Sequence, residues 1–221
     1  MSGYKYLFGP VPSRRLGASL GVSPIPERTC NYSCVYCQLG RTLRMTNTRQ
    51  EFFPLEEILA EFREYLRGSI PFDVVTVVGE GEPTLYSRLG ELIAGLKKET
   101  DKPVAVITNG ALLYDAEMRR ELMEADIVLP SLDAVTEEQY RKIDRPMGSI
   151  GFAEMAEGLR QFAREYQGQL WIEIMLVDGM NDSPEDIAAF KEFLGTIDYD
   201  RVYLNTPVRP PAEGFVHTSA P

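Results

Sequence analysis

From residue 73 to residue 205 the chain alternates short apolar runs with segments of helical spacing, and this rhythm restricts the fold more than any other feature. Residues 73–78 (DVVTVV) form a near-continuous β-branched run, the pattern of a strand covered on both faces. Further strands are predicted at 103–108 (PVAVIT), 126–132 (DIVLPSL), 169–177 and 201–205 (RVYLN), with a first one at 16–22; Pro130 implies a bulge or strand end. Helices are expected between them. Residues 53–68 carry Pro54 near the start and Leu55, Ile58, Leu59, Phe62 and Leu66 at helical intervals. Others follow at 89–98, 114–124, 136–143 and 152–166, the last two divided by Pro146 and Gly148. Ser183 caps a final helix that opens on Pro184, Glu185 and Asp186 and runs to about 195. Residues 1–29 read as irregular before the strand at 16–22, because Pro10, Pro12, Pro24 and Pro26 break any helix. The proline-rich tail, 206–221, reads as an extended cover.

Six strands alternating with helices imply an α/β fold with a parallel sheet wound by right-handed crossovers. An open Rossmann sheet and a partial barrel both satisfy that pattern. The absence of G-x-G-x-x-G at a strand–helix turn weighs against dinucleotide binding.

All three cysteines fall within eight residues, Cys30, Cys34 and Cys37, at the spacing C-x3-C-x2-C. Thiolates that close together are expected to converge, and soft sulfur ligands select iron–sulfur clusters or zinc. Three protein donors leave a coordination position vacant, whereas structural sites close their shell with four. A Cys3His zinc site is the main alternative, and its only histidine is His217, far along the chain in the tail.

With Tyr36 just before the last cysteine, this motif resembles that of the radical S-adenosylmethionine (SAM) superfamily. The resemblance covers about residues 17–210 and implies a partial (β/α)6 TIM-like barrel with a mostly parallel six-stranded sheet, though there is little room for a helix after the last strand. It also implies a [4Fe–4S] cluster held by Cys30, Cys34 and Cys37, with SAM chelating the fourth iron. Reductive cleavage of SAM then gives methionine and a 5′-deoxyadenosyl radical that abstracts hydrogen from a substrate. Such enzymes draw on an external one-electron donor of flavodoxin or ferredoxin type.

Ligands of parallel α/β folds collect at the C-terminal strand ends. Gly79-Glu80-Gly81-Glu82-Pro83 resembles the family's Gly-Gly-Glu-Pro motif with Glu80 in place of the first glycine, so Glu80, Gly81 and Glu82 are expected to receive the SAM ammonium. Asn109, at the end of the third strand, either faces the ligand or serves an Asn-Gly turn. Ser131 and Asp133 share a face at the fourth strand end, where they would meet the ribose or the methionine end; Asp133 could instead cap the next helix. Glu173 alternates with Ile172 and Ile174 and so faces inward, where it needs a partner or a ligand. Asn205 stands where the family places adenine contacts, and Arg145 could pair with the ligand carboxylate or with a surface acid.

With 44% hydrophobic and 25% charged residues, the 221-residue chain can build one cored domain spanning 1–221. No apolar run reaches membrane-helix length, residues 1–15 lack a signal segment, and reduced cysteines suit a cytoplasmic setting. A net charge of −10 argues against bulk binding to nucleic acid or anionic membrane. Yet residues 1–50 carry seven cations against Glu27 alone, a net +6, leaving −16 on the rest. That bias either serves the cluster and SAM or marks a phosphate-bearing substrate, a nucleotide or RNA. The stretch Phe8-Gly9-Pro10-Val11-Pro12-Ser13-Arg14-Arg15-Leu16-Gly17 looks like the subgroup containing wyosine-type tRNA-modifying enzymes. Those need further cysteines that this sequence lacks, so wyosine synthesis itself is not expected. Two other readings stand beside a small-molecule or RNA substrate: an activase that takes hydrogen from a glycine of a partner protein, and a non-catalytic iron–sulfur or zinc module.

Overall fold

The computed structural model describes residues 3–68 and 70–218. In chain order its elements begin with strands β1 (Leu7–Ser13), β2 (Gly17–Val22), β3 (Thr29–Cys30) and β4 (Arg44–Met45), then helix α1 (Leu55–Arg67). The alternating part follows: β5 (Val74–Val77), α2 (Leu89–Glu99), β6 (Val104–Thr108), α3 (Ala116–Leu122) and β7 (Ile127–Pro130). Helices α4 (Glu137–Ile143) and α5 (Phe152–Glu165), strand β8 (Gln169–Met175), helix α6 (Pro184–Leu194) and strand β9 (Arg201–Asn205) complete it. The main sheet has the order β1-β2-β5-β6-β7-β8-β9 and curls into a half-barrel, parallel throughout except for β1. β3 and β4 form a separate parallel pair.

The sheet therefore has seven strands rather than six. The extra one, β1, lies in the stretch that reads as irregular and pairs antiparallel with β2. Its prolines, Pro10 and Pro12, are tolerated because β1 is an edge strand and its register shifts between Phe8 and Val11. β7 ends on Pro130, as a residue without an N–H dictates.

The two faces of the sheet bury different things. Val75, Val77, Val104, Val106, Val128 and Ile172 point toward the helices and join a large core with Ile58, Phe62, Leu92, Ile93 and Leu159. Each such side chain contributes roughly 1.5–3 kcal/mol on burial. On the concave face Leu16, Val74, Ala105, Ile127, Leu129 and Trp171 form a smaller apolar plug. Polar residues take over toward the C-terminal strand ends. Ser183 caps α6 through a reciprocal bond with Asp186, which fixes where the chain leaves the turn after β8. Among the described residues no further helix follows β9; the tail instead crosses back, and Val216 packs with Val35, Ile143 and Val177. No helix is long and apolar enough to cross a membrane among the described residues.

Candidate functional site

The three cysteines occupy a loop clamped on two sides. Cys30 ends β3, and the chain then meets the end of α4: Ser33 N–H donates to Asp144 O at 3.0 Å and Val35 N–H to Ile143 O at 2.9 Å. From the other side Glu213 N–H donates to Val35 O at 3.1 Å. Tyr32 is buried with its ring edge-on to Tyr140, and the two hydroxyls are hydrogen-bonded. Apolar anchors, Tyr32 and Val35, thus alternate with the thiols and hold them toward the barrel mouth.

The thiols are free and partly buried. Burial pushes all three up, Cys30 to about 12 with help from Glu82, and Cys34 well up with help from Asp144. A bound cation reverses that balance, since metal binding displaces thiol protons. Among the described residues no three His, Cys, Asp or Glu side chains converge as ligands of one ion do. The expectation of a single focus is therefore corrected. Structural zinc needs four convergent donors, whereas cluster cysteines each bind a different iron, so this unbridged soft donor set fits a cluster.

Three strand ends carry the residues around the thiols. After β5, Gly81 lies so close to β3 that a Cβ would stand 1.9 Å from Thr29 O, which explains glycine there. Glu80, in the position expected for another glycine, is accommodated because its side chain is exposed while its backbone bonds Ser23 and Arg28. Glu82 is 2% exposed and its carboxylate accepts from Thr84 N and Oγ1, Thr108 Oγ1 and Asn109 N at 2.6–3.0 Å. Burial raises its pKa and these bonds oppose the rise. Three of the four fall on Oε1, so Oε2 keeps room for another donor.

Asn109 serves the Asn-Gly turn and also reaches the thiol loop. Gly110 behind it adopts φ +77, the left-handed turn, while Asn109 Nδ2 donates to Asn31 Oδ1 at 2.7 Å and approaches Cys30 Sγ at 3.6 Å. Beyond β7, Asp133 does not cap α4; Thr136 does so itself. Asp133 instead accepts from Tyr36 OH and, at 2.6 Å, from Met175 N. Burial lifts Asp133 to about 7, and it lifts the neighbouring Asp144 as well. Two buried acids beside Cys34 favour a cationic ligand, which would return them toward ionisation. Ser131 bridges to Glu173 through the backbone, and the Glu173 carboxylate faces the concavity, where it pairs with Arg15 and accepts from Asn205. Asn181, fully buried, bonds Val177 N, Asp133 O and Met175 O and so fixes the turn after β8.

Sequence reasoning did not single out Asp144, Asn31 or Glu213 and left Arg15 without a role. Only the arginine had a readable signal, a cation in the glycine-bounded turn before the first strand. Arg145 pairs with Glu213, a buried acid of the tail rather than a surface one.

Residues 25–191, most of the chain, match the Radical SAM superfamily. This protein belongs to that superfamily. Members of that superfamily bind a [4Fe–4S] cluster and SAM and draw on an electron donor. When bound, that pair supplies one-electron cleavage of SAM to a 5′-deoxyadenosyl radical. The chain is 43% identical over 205 residues to a protein of Brachyspira hyodysenteriae named GTPase Obg, covering 93% of this chain and 30% of that one. It is 38% identical over 211 residues to a UPF0026 protein of Methanocaldococcus jannaschii, covering 95% of this chain and 65% of that one. The chain thus spans less than two thirds of both relatives. Among solved structures, that of TYW1 with a lysine–pyruvate adduct bound superposes with a TM-score of 0.61 at 22% identity, over 85% of this chain and 64% of that chain. At that identity the likeness shows a shared fold.

Proposed function

We propose that Cys30, Cys34 and Cys37 hold the cluster, that Glu82 Oε2 with the Glu80–Gly81 backbone receives the SAM ammonium, and that Tyr36, Asn109, Ser131, Asp133, Glu173 and Asn205 line its remaining length. The observation that carries this reading is Asn109: its backbone N–H binds Glu82 while its side chain reaches Cys30 Sγ, so thiol loop and carboxylate meet at one strand end. Tyr36 and Asp133 sit on the far side of the loop, where Asp133 and Asp144 favour the positive sulfonium.

For the substrate we favour a phosphate-bearing small molecule. Five of the seven cations in residues 1–50 are paired: Lys5 with Glu57, Arg15 with Glu173, Arg28 with Glu27, Arg41 with Glu213 and Arg49 with Glu121. That leaves little charge to track a nucleic-acid backbone. Arg15, however, stands inside the concavity and gives only Nη1 to Glu173, so its other donors suit a phosphate. The electron donor would be a flavodoxin or ferredoxin, in the cytoplasm.

Anaerobic iron–sulfide reconstitution followed by assay of 5′-deoxyadenosine tests the site. Cys34→Ala should lose both the cluster absorbance and product; a variant that still cleaves SAM under reductant would sink the ligand assignment.

A further inference from the structure

Resting on that reading, we infer that the lip formed by residues 38–45 is the docking surface for an acidic one-electron carrier protein. The lip continues directly from the third cysteine, with Gly40 N–H donating to Cys37 O at 3.1 Å. Its far end is β4, laddered onto β3 with Met45 opposite Cys30. A protein seated here lies against the chain segment that carries the thiols.

The surface has the makings of an interface. Leu43 is 69% exposed, Met45 41% and Leu39 36%, whereas the apolar side chains of the sheet's helix side are buried. Val208, 67% exposed, adjoins through Arg209, which donates to Gln38. Clustered exposed apolar residues with a polar rim mark contact surfaces. Here the rim is net cationic: Arg44 on the lip has no acidic partner among the described residues, and Arg41 on the lip shares the single carboxylate of Glu213 with Arg145. The Arg28 guanidinium comes within 3.8 Å of where a Cβ on Gly40 would stand.

Charge selects the occupant. Residues 51–221 carry a net −16, so an acidic partner is repelled from most of the surface and steered to this patch. A nucleic acid fits less well, because the lip's centre is aliphatic and residues 38–45 include no aromatic platform for bases. The exchange is simple to balance: the carrier, a reduced flavin or iron–sulfur protein, is oxidised by one electron, the enzyme is reduced by one, and no bond in the lip changes.

The test compares two reductants on the reconstituted enzyme, photoreduced flavodoxin or ferredoxin against dithionite, which needs no docking. With Leu43→Asp and Arg44→Glu combined, carrier-driven 5′-deoxyadenosine formation should fall about tenfold or more, while the dithionite-driven rate and iron content stay at wild-type values. In the wild type only the carrier-driven rate should fall with added salt. Equal loss with both reductants would assign the lip to the cysteine loop instead, and no loss with either would remove it from electron delivery. A wild type served by dithionite but by neither carrier overturns the proposal, as does a variant that keeps its carrier-driven rate and loses affinity for a single-stranded oligonucleotide. If dithionite yields no 5′-deoxyadenosine in the wild type, it is the underlying site reading that fails, and the lip with it.

Discussion

Asn109 Nδ2 lies 2.7 Å from Asn31 Oδ1, so the tip of β6 is fastened to the residue that follows the first cysteine. Asn31 is fully buried, and its side-chain oxygen depends on that donor. Asn109→Ala should therefore destabilise the protein by about 1–3 kcal/mol, the usual consequence of stranding a buried acceptor. Urea unfolding of the metal-free chain checks this. An unchanged midpoint would mean that Asn31 finds another donor.

Gly81 carries a purely steric prediction. A methyl group there meets Thr29 O at 1.9 Å, and that oxygen already accepts from Glu82 N at 3.0 Å. Gly81→Ala must push β3 and Cys30 away from the Glu82 loop, at a cost of about 1–3 kcal/mol or more. Iron content after reconstitution should fall along with the melting temperature, while Gly148→Ala, where no atom lies within 4 Å, should leave both in place. Equal behaviour of the two variants would refute the close approach.

These cases show what was legible in the sequence. The strand–helix alternation is a local pattern, and the strands and helices from β5 onward lie where it puts them. Glu173 was readable as inward-facing from strand alternation alone, but its partner was not. Arg15 meets it across the sheet, a contact between residues 158 positions apart that no local period encodes. The same holds for Asp144 beside Cys34 and for Glu213, since tail and loop are joined only by the closure of the whole barrel. The missed strand β1 has a different cause. Its prolines contradict a central strand, and only knowledge that it lies at the edge makes them acceptable.

The tail contact predicts a pH dependence. Arg41 donates through Nε and Nη2 to Glu213, and Arg145 pairs with the same carboxylate, so both arginines hold Glu213 below the usual carboxylate range. A depressed folded-state pKa contributes stability above the unfolded value and loses it as the pH falls through the folded one. Glu213→Gln should thus melt below the wild type at neutral pH, and the gap should close as the pH drops below about 4. A gap independent of pH would show that the carboxylate's charge plays no part in holding the tail.

Arg15 and Glu173 allow the concave face to be tested apart from turnover. Removing the arginine leaves a partly buried carboxylate with Asn205 as its remaining side-chain partner, whereas removing both charges leaves a neutral pair of similar bulk. Arg15→Met should accordingly cost more stability than the double change Arg15→Met with Glu173→Gln, by about 1–3 kcal/mol. The complete double-mutant cycle, followed by thermal unfolding, isolates the coupling. If Arg15 also receives a phosphate, then inorganic pyrophosphate should stabilise the wild type and Glu173→Gln but not Arg15→Met. Stabilisation of all three alike would place the anion elsewhere and leave Arg15 as a structural partner of Glu173.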